Sequence, residues 1–213
     1  MSEINIQLVR EFFELNRFRV LTHWQHDEDH RRGVESGLIL FVEQVGQRTP
    51  AKSLPVLLGA STIGGLRRAV VEVRAWHGDK FYPSVIESSP ILGHVASAEV
   101  ADLARTVFGD APFVSILVIS ELPAGMIQQQ RSVELIRAMG VDHVLEFGTL
   151  LAATLEQLNA QSNYAPSQTL QTLRLLKRYD LVRRQQLEFR FPFEPEVPEL
   201  RTVDTTEDSE EGT

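Results

Sequence analysis

The chain of 213 residues contains no cysteine, so disulfides and thiolate-held metals are excluded. That absence fits a reducing compartment. No apolar run approaches the roughly 20 residues that a membrane-spanning helix needs. The first eighteen residues lack the hydrophobic core of a signal peptide, because Glu3, Arg10, Glu11 and Glu14 interrupt the apolar ones. The expectation is a cytoplasmic protein with no membrane partner. A basic excess is also missing: the net charge is -8. Taken alone, that sum argues against a nucleic-acid partner.

The distribution of charge removes this objection. From residue 191 onward there are eight acids (Glu194, Glu196, Glu199, Asp204, Glu207, Asp208, Glu210 and Glu211) and one base, Arg201. The tail carries -7 and the rest of the chain only -1. A near-neutral body does not exclude nucleic acid. Hydrophobic content of 43% and charged content of 23% are ordinary for a globular domain of this length.

What is present is an alternation of helical and strand patterns. Ile4, Leu8, Val9, Phe12, Phe13 and Leu15 recur at helical spacing and predict an amphipathic first helix. Strands are predicted over 18–24, 37–44 and 68–76, with a polar connector between the first two and a loop or short hairpin over 45–68. A connector over 83–90, bounded by prolines, comes next. Ser97 and Gly109 then bracket a helix as N-cap and C-terminal stop. The apolar run 113–120 reads as a strand, followed by a helix ending at Gly140, a strand over 142–147 and a helix behind Thr149. A further helix is predicted over 167–182, with a short strand or hairpin after it. The proline-broken acidic end is predicted to be disordered. Strands separated by helices of ten to fifteen residues require crossovers and some parallel pairing. The fold class predicted is an α/β/α sandwich with a mixed central sheet.

The third strand, RAVVEVRAW, poses the central question. Alternate residues of a strand share a face. Ala69, Val71, Val73 and Ala75 make a core face; Val70, Glu72, Arg74 and Trp76 make the other. An isolated buried charge is too costly to keep. The Glu/Arg face is therefore expected to meet solvent or to form a site, and an intrastrand ion pair on a sheet edge is the bland alternative.

A helix, three strands with E-x-[KR] on the third, then helix, strand, helix and strand resembles the PD-(D/E)XK nuclease superfamily, including Mrr-like restriction endonucleases. The resemblance covers roughly residues 4–160 and rests on order plus one short motif. It implies a restriction-endonuclease-like sandwich that hydrolyses phosphodiesters of nucleic acid, expected to be DNA, with Mg²⁺. It implies Glu72 as a metal ligand and Arg74 in the place of the family's lysine. Oxygen ligands suit Mg²⁺, which polarises the phosphate and activates water. Arg74 can stabilise charge but cannot exchange a proton, since guanidinium stays charged. The second-strand acid would be Glu43 or Glu35, because Gly37 stands where the family's aspartate is often found. Glu11 or Glu14 would be a further carboxylate. The alternative is a catalytically inactive module of this fold that binds nucleic acid or a protein.

Other constellations carry less. His26 and His30 have i, i+4 spacing, but within a polar segment that does not look helical. His77, Asp79 and Lys80 follow the third strand, and Lys80 is the candidate replacement for the missing lysine. The stretch LPVLLGASTIGGLRR has Gly65 and Leu66 where a phosphate-binding loop needs Lys and Ser or Thr. In the last helix Leu170, Leu173 and Leu176 form an apolar stripe beside Arg174, Lys177 and Arg178, with Arg183 and Arg184 following. Those five bases are candidates for phosphate contacts. The bland alternative is an amphipathic helix docked on the body with its bases paired to the acidic tail. The domain plan is 1–160 for the nuclease-like unit, 161–192 for a basic extension and 193–213 for the tail. A homodimer is compatible with the apolar positions.

Overall fold

The structure, a computed structural model, describes residues 3–23, 39–46 and 53–182. The chain divides into two units, Met1–Val182 and Arg183–Thr213. The second lies outside the described residues, as do the predicted strand after residue 182 and the acidic tail.

Five strands form one sheet: β1 (Phe18–His23), β2 (Ile39–Gln44), β3 (Arg68–Arg74), β4 (Val114–Ile119) and β5 (His143–Glu146). They stand side by side in chain order. β1, β2 and β3 pair antiparallel as a meander, while β3, β4 and β5 pair parallel through helical crossovers. The chain thus places the sheet between helices as an α/β/α sandwich with mixed pairing, as its alternating pattern predicts.

One face of the sheet is covered by α1 (Glu3–Leu15) and α5 (Phe147–Gln157). Leu8, Val9, Phe12 and Phe13 of α1 meet Leu40, Val42, Val71, Val73 and Val118 there, with Leu150 and Ala153 of α5. Burying each such side chain contributes about 1.5–3 kcal/mol. The other face is covered by α2 (Pro83–Glu87), a 3₁₀ segment (Pro90–Ala96), α3 (Ala98–Phe108) and α4 (Met126–Ala138). There Ile39, Phe41, Val70, Leu117 and Ile119 pack with Ile86, Leu92, Val95, Val100 and Ile136.

Several boundaries differ from the sequence expectation: β3 ends at Arg74 rather than 76, the last helix ends at Arg178 rather than 182, and two others change the reading. The span 83–90 is not a simple connector: Pro83 begins α2 and Pro90 begins the 3₁₀ segment. Proline breaks a helix interior but suits the first turn, where its missing N–H has no partner to lose. α5 begins at Phe147, directly after β5, so Thr149 lies inside it. By contrast Ser97 caps α3 as its position predicts, accepting from the Val100 N–H.

The helix α6 (Gln168–Arg178) belongs to the body. Ser167 caps it, and the Ser167 hydroxyl also donates to Glu11 of α1. Leu170 is buried and Leu173 packs on the α1 side of the core. The expected boundary at residue 160 therefore separates a helix from the core that it completes.

Candidate functional site

β3 is the middle strand of five, and both of its faces are buried. Neither solvent nor a sheet edge receives Glu72 and Arg74: they are 0% and 2% exposed. The expectation of an open polar face fails because α2, α3 and the 3₁₀ segment cover that side. Ile39 and Leu117 flank Glu72 on the neighbouring strands, and Trp76 continues the face by stacking on Phe81 with 5.2 Å between ring centroids.

The charges survive burial because they satisfy each other. Arg74 donates from Nε and Nη2 to one oxygen of Glu72, at 2.8 and 2.6 Å. The other oxygen faces Nδ1 of His94, at 3.2 Å, on the 3₁₀ segment. His94 carries no signal in the sequence, where it is a lone histidine in an apolar stretch, and no local spacing could have exposed it. The hydrogen bond to Glu72 holds its pKa above the usual imidazole value, against an opposing effect of burial. A buried pair of this kind contributes little net stability, yet removal of one partner is costly.

Glu43, one of the two expected second acids, does not stand beside Glu72. The β2–β3 register sets Ile39 opposite Glu72 and Glu43 opposite Arg68. Glu43 shares the face of Glu72 but stands four residues away along β3, about 13 Å at strand rise. It is paired with Arg68 at 2.8 Å. Glu35, His26 and His30 lie outside the described residues. Glu11 sits on α1, across the sheet from Glu72, and accepts from Gln7 and Ser167. Glu14 is exposed and paired with Arg10. Lys80 is paired with Glu121 rather than Glu72, and that hydrogen bond raises its pKa.

Mg²⁺ needs several oxygen ligands converging with some still open to phosphate. Both oxygens of Glu72 are occupied, its neighbour across β2 is aliphatic, and no three acidic or histidine side chains converge among the described residues. The described residues do not fit the ion.

At the carboxyl ends of the parallel strands, His77 is exposed. Its Nε2 faces Oδ1 of buried Asn5 at 3.2 Å, and its ring stands edge-on to Phe147. Asn5 also donates to the Ala75 carbonyl, so its oxygen is the atom turned to His77. Asp79 and Lys80 follow on the same loop, where Lys80 turns to Glu121.

The bases of α6 are largely used within the fold. Lys177 donates to the carbonyls of Leu155, Glu156 and Leu158, at 2.6, 3.3 and 2.6 Å, and closes the end of α5. Arg174 reaches the Ala160 carbonyl at 3.5 Å, with its Nε buried. Arg178 is exposed at the end of the helix, and Arg183 and Arg184 lie outside the described residues. The bland alternative of a helix docked on the body describes α6 itself; its pairing with the acidic tail falls outside the described residues. No helix among the described residues is long and apolar enough to cross a membrane. Comparison of the chain with protein-family models, with curated proteins and with solved structures found no match.

Proposed function

We propose that this chain is a catalytically inactive module of the PD-(D/E)XK type that acts by binding a protein partner. The order of elements and the Glu72-x-Arg74 strand support the kinship. The carrying observation is the burial of Glu72 between Arg74 and His94, which engages both oxygens of its carboxylate within the fold. Hydrolysis would require that carboxylate to exchange a buried guanidinium for an ion, at the cost of breaking a buried ion pair.

The choice of a protein partner follows from what the surface offers. Two of the three described bases of α6 hold the fold together and are not free for phosphates. Met126 and Ile127, at the start of α4, are 81% and 85% exposed. Adjacent large apolar groups left in water offer a contact surface to a protein partner.

A plasmid-nicking assay with Mg²⁺ or Mn²⁺ tests the inactive reading. Neither wild type nor Glu72→Ala is expected to nick. Metal-dependent nicking by the wild type that disappears in the variant would restore the hydrolytic reading. A mobility-shift assay with DNA and RNA at low salt tests the partner class, and salt-sensitive retention would replace the protein by nucleic acid.

A further inference from the structure

We propose that His94 is a pH-operated latch holding the 3₁₀ segment Pro90–Ala96 against the sheet. Segments of this kind have poor internal hydrogen-bond geometry and depend on their surroundings. Ser89, at its start, supplies no side-chain cap. The segment is held by buried Leu92 and Val95, by Gly93 set close against Met139, and by Ala96 against Gly140. His94 adds the polar contact, to Glu72 on β3.

The geometry divides the cluster into fixed and responsive parts. The side chains of Glu72 and Arg74 are 0% and 3% exposed, shut off from solvent by the covering layer. That of His94 is 22% exposed, so the ring is the member of the cluster that solvent reaches. The ionisable groups facing the ring are Glu72 and Arg74 from β3 and Glu99 from α3. β4 has no ionisable side chain, and Glu87 of α2 is turned to Arg131. While the ring is protonated, Glu72 is held by two cations from two different layers. Once the ring is neutral, only Arg74 remains, and it belongs to the same strand as Glu72.

The sign follows from linkage. The native pKa of His94 is raised, so its contribution is complete below the unfolded value and is lost as pH climbs through the native one. The segment should therefore loosen on the alkaline side. This device belongs to the packing and is independent of what the module binds.

Hydrogen exchange of the full chain, corrected for the intrinsic pH dependence, tests it. Between pH 6 and pH 9 the protection of amides 91–97, relative to those of α1, should fall roughly tenfold, the scale of one charge-assisted hydrogen bond. His94→Gln should show no such pH dependence. An equal fall in both chains, or none in the wild type, would overturn the latch. The NMR titration of the wild-type ring needs no variant, and a midpoint below that of a free histidine would overturn it as well.

Discussion

The guanidinium of Arg74 places two N–H donors on a single oxygen of Glu72, and the second oxygen is left to His94, a residue of another layer. The pair spans two positions of one strand, so it forms as soon as β3 forms. The contact to His94 requires the covering layer to be in place.

This arrangement makes single truncation costly. Glu72→Ala takes from a buried guanidinium the carboxylate that accepts two of its donors, and Arg74→Ala leaves a carboxylate with only a partly exposed histidine. Each is expected to lose about 3–5 kcal/mol of unfolding free energy in urea. The double variant Glu72→Leu with Arg74→Met should lose clearly less than the sum of the two, since no charge is then stranded. Additive losses would mean that the two side chains act independently.

Lys177 and Arg178 are neighbours on α6 with opposite roles. Lys177→Ala removes a charged donor from three carbonyls at the end of α5 and should cost about 1.5–3 kcal/mol. Arg178→Ala, at a position in the last turn, should stay within about 0.5 kcal/mol of wild type. Equal losses in thermal or urea unfolding would contradict the capping role of Lys177.

Gly140 and Gly148 offer a similar contrast. Gly140 has a φ of +92°, and an added Cβ would stand 3.3 Å from that of Ala96. Gly140→Ala should cost about 1–3 kcal/mol through backbone strain, with the crowding added. Gly148 has open space where a Cβ would stand and lies in the first turn of α5. Gly148→Ala should be neutral or stabilise by up to about 1 kcal/mol. The opposite order in a melting experiment would overturn this account of the two glycines.

Local caps give a third scale. Ser97→Ala removes the acceptor for the Val100 N–H and should cost about 1 kcal/mol. Ser167→Ala should cost more than Ser97→Ala, because that hydroxyl also donates to buried Glu11. Far-ultraviolet circular dichroism followed through urea unfolding measures both.

Much of the architecture was legible in the chain. Helical spacing located α1, Ser97 and Gly109 marked the ends of α3, and the apolar run at 113–120 contained β4. The prolines at 83 and 90 misled because the same residue stops a helix interior and starts a helix. The site was legible only in part. The strand pattern puts Glu72 and Arg74 on one side of β3, but it is silent on what lies over them.

By itself the sequence determined the order of the strands and longer helices, the two faces of β3 and the cap of α3, because these depend on neighbours a few positions apart. Tertiary structure alone decided that both faces of β3 are covered, that His94 completes the ion pair, and that Ile39 rather than Glu43 stands beside Glu72. It also turned Lys177 inward. These outcomes rest on strand register and on contacts between residues some twenty or more positions apart, where the burial of one segment depends on where another has come to lie.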